Sequence, residues 1–291
     1  MLWKTYRVVR TPEEALETLD LHRGKARIIA GGTDLIPRMK DREMEVECVV
    51  DITGIEDLKK IEIGGDSVTI GAAVTHHEIV SSPLLKEKVP LLVEACAEVG
   101  TPQVRNQGTV LGNIMNAQPA ADAAVALLAL GAEVRVISQS GSKWFPLADL
   151  YKGVGVSKVR SDRELAAEVR CPLIQRNQGW AYLRMRGRND QWLPTLNTAV
   201  LIAAKGKKFI SGTIAIAPVA PKPFRPRKAE EMMKGASLTE KTIAAVSQKA
   251  SEEASPRDSL LRGSSEYRKE IVSVWVRDAL RRAVKTLRRD E

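Results

Sequence analysis

The sequence predicts a layered fold of the α+β or α/β kind, on three observations. Short apolar runs alternate with capped, amphipathic stretches through the first half. Two glycine-bearing segments, Ala30-Gly31-Gly32-Thr33-Asp34-Leu35 and Gly108-Thr109-Val110-Leu111-Gly112-Asn113, follow or interrupt apolar sequence. Such segments turn tightly and expose consecutive N–H groups with few side chains in the way, which suits a pyrophosphate. Finally, 291 residues supply enough chain for about two domains.

The elements follow in order. Thr11-Pro12-Glu13-Glu14 opens a helix through Leu21, with Thr11 as N-cap, Pro12 at the first helical position and Glu14 as the capping-box acid. Arg27–Ala30 is a short strand feeding the first glycine pair. Cys48-Val49-Val50-Asp51-Ile52 is a buried strand, and Ser67–Gly71 alternates as another. Thr75-His76-His77-Glu78-Ile79 begins a helical region, and Pro90–Val99 forms a helix ending at Gly100. Beyond the second glycine segment, Pro119-Ala120-Ala121-Asp122 leads into the helical run Ala123–Leu130, and Glu133–Ile137 is again a strand. Near Cys171-Pro172-Leu173 the composition turns basic, which marks a domain boundary. Strands at Ala199–Ala204 and Ser211–Ala217 precede a proline-rich loop (Pro218, Pro221, Pro223, Pro226). Helices over Glu230–Lys234, Lys241–Glu253 and Ser265–Arg288 complete the chain. The last is expected to place Ile271, Trp275, Ala279 and Val284 along its apolar face.

Composition excludes several classes. No apolar run approaches bilayer length, and Met1-Leu2-Trp3-Lys4 lacks a basic-then-apolar leader pattern, so a cytoplasmic protein without a membrane span is expected. Cys48, Cys96 and Cys171 are too scattered for a disulfide framework or an iron–sulfur motif and read as small buried apolar residues. Any iron–sulfur centre would belong to another polypeptide. Charge is uneven: residues 1–150 balance at −5 and residues 151–291 at +14. A basic half suits anionic partners, yet 4% aromatics supply a poor base-stacking platform, which argues against nucleic acid.

Thr33 and Asp34 follow the glycine pair, where a hydroxyl and a carboxylate either meet a ligand or cap the turn, Asp34 on its own backbone. Gly112-Asn113 carries the same two readings. Asp122 is either a helix cap or an acceptor for ribose hydroxyls. His76 and His77 are sequence neighbours that point apart on a helix, so they make no joint metal site, and no metal ligands are assigned. No nucleophile–base pattern appears, so no catalytic residue is assigned. Neither glycine segment has the Rossmann or Walker spacing.

With these residues in view, Ala30–Lys40 (Ala-Gly-Gly-Thr-Asp-Leu-Ile-Pro-Arg-Met-Lys) resembles the first FAD loop of the molybdenum hydroxylase flavoprotein subunits, the family of aerobic carbon monoxide dehydrogenase and bacterial xanthine dehydrogenase. Ile70-Gly71-Ala72 with Thr75-His76 is similar to its next landmark. Gln103–Asn113 with Pro119-Ala120-Ala121-Asp122 is similar to its second FAD loop, and Arg262-Gly263-Ser264-Ser265-Glu266-Tyr267-Arg268 to its C-terminal signature. The resemblance implies an α+β fold: a two-subdomain FAD-binding domain of the vanillyl-alcohol-oxidase (PCMH) type over 1–175, then a C-terminal α+β domain with an antiparallel sheet over 176–291. By the same resemblance Ala30, Gly31, Gly32, Thr33 and Asp34, with Thr109, Val110, Leu111, Gly112 and Asn113, hold the pyrophosphate. Asp122 stands in the ribose position, Leu165 near the adenine, Arg184 (within Tyr182-Leu183-Arg184) ahead of the isoalloxazine, and Trp192 beside the ring. The family has glycine where this chain has Leu111, whose side chain either crowds the pyrophosphate or points into the core.

The implied function is electron transfer. A large molybdopterin subunit oxidises substrate, a small subunit with [2Fe–2S] clusters relays electrons, and FAD on this chain passes them to an external acceptor, in a dimer of heterotrimers. The alternative is a self-contained FAD-dependent reductase resembling the enolpyruvyl-UDP-sugar reductases. That reading requires a substrate pocket and proton donor that the sequence does not display.

Overall fold

The computed structural model describes residues 2–186, 193–260 and 262–287. The chain opens with β1 (Thr5–Val8), α1 (Pro12–Leu21), β2 (Ala26–Ile29), α2 (Leu35–Lys40), β3 (Cys48–Asp51), β4 (Ile61–Gly64) and β5 (Ser67–Gly71). Six short helices follow: α3 (His76–Ser81), α4 (Pro83–Lys88), α5 (Pro90–Ala97), α6 (Pro102–Gln107), α7 (Val110–Met115) and α8 (Asp122–Ala129). Then come β6 (Glu133–Ser138), β7 (Gly141–Pro146), β8 (Tyr151–Gly153), β9 (Val156–Ser157), β10 (Leu165–Pro172) and β11 (Gln178–Met185). The chain closes with β12 (Leu196–Lys205), β13 (Lys208–Ala217), α9 (Arg227–Met233), α10 (Glu240–Glu253) and α11 (Ser265–Thr286). The fold is α+β, and no described helix is long and apolar enough to cross a membrane.

The chain packs as two units, each drawn from separated stretches of sequence. The first comprises Met1–Ser82, Val99–Ala117 and Gly131–Leu173. It contains a parallel three-stranded sheet, order β1-β3-β2, and an antiparallel five-stranded sheet, order β4-β5-β10-β6-β7. In the central strand β3, all four residues of Cys48-Val49-Val50-Asp51 are buried, which is why its first three are apolar without alternation. In β10, buried and half-buried residues alternate, and Arg135–Glu168 and Arg170–Glu133 form cross-strand ion pairs of 2.8 Å on β6 and β10. α1 begins as expected. Thr11 Oγ1 accepts the Glu14 N–H, but the Glu14 carboxylate takes the Arg10 N–H rather than that of Thr11. The full reciprocal capping box occurs at α3 instead, between Thr75 and Glu78.

The second unit comprises Pro83–Glu98, Gln118–Leu130 and Ile174–Glu291. Its antiparallel sheet, order β11-β12-β13, carries α8 against β12 and β13, and α11 against β11 and β12. Every residue of α8 is buried, consistent with a composition that is apolar all round apart from Asp122. The apolar face of α11 lies one position from the expected one. Val272, Val276, Ala279, Leu280 and Ala283 are buried, while Ile271, Trp275 and Val284 flank them half-buried. Small Ala283 faces the sheet, where a Cβ on Gly179 would come within 1.9 Å of its carbonyl oxygen. All three cysteines are buried and free.

Candidate functional site

The two glycine segments lie side by side in the first unit. A Cβ on Gly31 would stand 1.9 Å from the Gln107 carbonyl oxygen and 2.9 Å from the Gly108 Cα, so the two backbones touch where Gly31 has no side chain. Gly32 adopts φ +68°, the left-handed region in which glycine is unstrained. Asp34 leaves its own backbone alone. Its Oδ1 accepts from Asn116 Nδ2 at 2.7 Å, tying the first loop to the C-terminal end of α7. This contact replaces the Asx-turn reading of Asp34. Burial in the junction raises the Asp34 pKa, opposed by the Asn116 bond and the Arg38 charge.

The second segment is pinned from behind. The His76 N–H donates to the Gly108 carbonyl at 2.9 Å, the Val110 N–H to that of Val74 at 3.2 Å, and the Gly108 N–H to that of Val104 at 2.7 Å. His76 itself is buried, and burial, with help from the Arg105 charge, pushes its pKa down to about 4. A neutral imidazole therefore backs the loop. Thr109 caps α7, its Oγ1 accepting the Gly112 N–H at 3.0 Å. Thr109, Val110 and Leu111 are buried and Gly112 is exposed. Leu111 thus points into the core, and its side chain does not crowd the loop surface.

This junction fits an anionic group. Among the described residues no acceptor meets the N–H groups of Gly31, Gly32, Thr33, Asp34 or Leu111. Such amides at a surface loop form an oxyanion receptor without any charged side chain.

Other expected site residues lie elsewhere. Leu165 starts β10 opposite Ile137 and is fully buried, on the strand against which α7 packs. Asp122 and Arg184 come together in the second unit. Asp122 is the first residue of α8 and makes no cap bond. Its Oδ1 accepts from Tyr182 Oη at 2.6 Å, Asn197 Nδ2 at 3.1 Å and Arg184 Nε at 3.2 Å. Burial raises the Asp122 pKa, and the Arg184 cation and the two neutral donors pull it back. Tyr182 and Arg184 alternate on β11, and Asn197 lies opposite Arg184 on β12, so strand register assembles the cluster. Asn197 and Asn116 carry no motif of their own and escape a sequence reading. Trp192 lies outside the described residues.

Comparison with known proteins now bears on this geometry. Residues 4–174 match the family described as the FAD binding domain in molybdopterin dehydrogenase, and residues 180–283 the CO dehydrogenase flavoprotein C-terminal domain. The glyceraldehyde dehydrogenase medium chain of Sulfolobus acidocaldarius is 33% identical over 92% of this chain and 94% of its own. The xanthine dehydrogenase FAD-binding subunit of Escherichia coli O157:H7 is 27% identical over 89% of each. A solved carbon monoxide dehydrogenase from Hydrogenophaga pseudoflava, lacking the Mo-pyranopterin moiety of its molybdenum cofactor, superposes with a TM-score of 0.93 at 29% identity, covering 98% of both chains. Scaffold and matches define the class, an α+β FAD-binding oxidoreductase subunit. More particularly, the chain belongs to the family of FAD-binding medium subunits of the molybdenum hydroxylases.

Proposed function

We propose that this chain is the flavin subunit of a cytoplasmic molybdenum hydroxylase, accepting electrons from [2Fe–2S] clusters on a small partner subunit and delivering them to an external acceptor. In this reading a large partner carries the molybdopterin, and the assembly is a dimer of heterotrimers. The observation that carries it is the unpaired row of amides at Gly31–Asp34, locked against the Gln107–Leu111 backbone. These N–H groups hold the FAD pyrophosphate, and the bound flavin supplies the redox chemistry. The chain's own work is placement. Asn116 turns the Asp34 carboxylate aside from the phosphates, and Thr109 fixes α7. Asp122, whose Oδ1 is already filled by three donors, keeps its second oxygen for a ribose hydroxyl. By family resemblance Leu165 lies near the adenine, Arg184 ahead of the isoalloxazine and Trp192 beside it.

Affinity purification of the native complex through a tag on this chain tests the reading. Two further polypeptides, stoichiometric FAD, and flavin bleaching by a substrate that the isolated chain ignores are the expected outcome. A fully active enzyme consisting of this chain alone would overturn it.

A further inference from the structure

The loop joining α10 to α11, with the first turn of α11, gathers three arginines at one end of the β11-β12-β13 sheet. Arg262 donates Nε to the Pro194 carbonyl at 3.1 Å, just before β12. Arg268 donates Nη1 to the Arg257 carbonyl at 2.8 Å and Nη2 to the Pro218 carbonyl, just after β13. Asn197 pairs with Ala217 across these strands, so both carbonyls belong to the same sheet end.

Arg268 is only 4% exposed, and among the described residues its Nε meets no acceptor. Arg262 is half-buried. Burial lowers the pKa of both, and neighbouring guanidinium charges lower it further: Arg257 on Arg262, then Arg262 and Arg257 on Arg268.

Arg184, Arg225 and Arg135 are withdrawn from solvent beside a carboxylate, of Asp122, Glu230 and Glu168 respectively, whereas half-buried Arg27 and Arg105 donate to backbone carbonyls. Among the described residues none of Arg257, Arg262 and Arg268 forms an ion pair. Asp258, next in sequence to Arg257, is committed to the Ser265 N–H at 2.6 Å. Backbone carbonyls fix these guanidinium groups but bring only partial charge against like-charge repulsion at a half-buried site.

We propose that Arg257, Arg262 and Arg268 form a receptor for a phosphoryl group, either free phosphate or the phosphate of a nucleotide. Guanidinium forks match tetrahedral oxyanions in bidentate fashion, and a dianion offsets more of a triple positive charge than one carboxylate does. This receptor uses none of the glycine-loop amides.

Thermal unfolding of the FAD-loaded protein tests it, titrating inorganic phosphate, or AMP, against chloride at matched ionic strength. The unfolding temperature should rise with phosphate, since a ligand of the native state stabilises by mass action. Arg257→Gln and Arg262→Gln should each weaken the apparent phosphate affinity by about tenfold, the scale of one charged hydrogen bond. Lys143→Gln, an equal loss of charge on an exposed strand of the first unit, should not. Arg268→Gln is set aside, because it also removes bonds that hold the loop. AMP binding much more tightly than phosphate assigns a nucleotide; equal affinities assign free phosphate. No phosphate-specific rise in the wild type, or the same rise in Arg257→Gln and Arg262→Gln, overturns the proposal.

Discussion

A methyl group at Gly31 would overlap the Gln107 carbonyl, so Gly31→Ala must part the two loops before the chain can close, whereas a Cβ on Gly112 meets only Thr109 Oγ1, at 3.0 Å. Gly31→Ala is therefore expected to lose most of its flavin while Gly112→Ala keeps most of it, read as flavin absorbance per chain. His76 supplies a pH dependence of known sign. Its folded pKa of about 4 lies below the ordinary 6.5, so the stability it contributes is complete above pH 6.5 and drains away as pH falls toward 4. At most a few kcal/mol are at stake. Urea midpoints at pH 7 and pH 5 should differ more in the wild type than in His76→Gln. At Asp122, alanine takes the nearer carboxylate from the buried Arg184 cation, which keeps Glu98 at 4.0 Å, and should cost about 1–3 kcal/mol, whereas Asp122→Asn keeps an acceptor and should cost less. Thermal melts of the two variants decide this. At this scale the sequence displays the glycines, Leu111 and Asp122. It hides Asn116 and Asn197, because an isolated asparagine has no periodicity and gains its role only when packing brings it to Asp34 or strand register sets it opposite Arg184.

Among elements, those with a clear period or a plain apolar run are the legible ones: α1, α8, α10 and the strands β3, β5, β12 and β13 fall close to where pattern puts them. β10 escapes because Leu-Ala-Ala-Glu-Val-Arg-Cys-Pro alternates inward alanine and cysteine with outward Glu168 and Arg170, a weak strand composition rescued by cross-strand ion pairs. α6 and α7 are six residues each, too short for a helical period to register, and rest on their Thr101 and Thr109 caps. α11 teaches a further point. Period alone gives a stripe, whereas the close approach of the helix backbone at Ala283 is permitted by the missing side chain of Gly179 on β11. Gly179→Ala should push α11 outward and strain the pair of bonds linking Thr286 Oγ1 to the Trp180 N–H and carbonyl, at 2.8 and 2.9 Å. Overpacking of this kind costs about 1–3 kcal/mol. Faster amide exchange in the last turns of α11, with α1 unchanged, is the expected signature.

For the whole molecule, sequence families and packing units divide the chain differently. The family matches are continuous, 4–174 and 180–283, whereas residues 83–98 and 118–130 pack with the C-terminal stretch. A fragment ending at residue 174 should therefore leave α5 and α8 without their sheet, bind a hydrophobic dye and aggregate, although it spans the whole FAD-domain match. A cooperative, dye-negative melt from that fragment would contradict this. The same interleaving governs how the protein is made. The eight residues of α8, wholly apolar apart from Asp122, leave the ribosome long before β12 and β13, the strands that cover them. At 5–20 residues per second of synthesis, that interval is on the order of several seconds. During it the nascent chain presents a greasy helix with no place to go, which makes it a natural client for chaperones, and slow codons downstream of α8 would lower its yield rather than raise it.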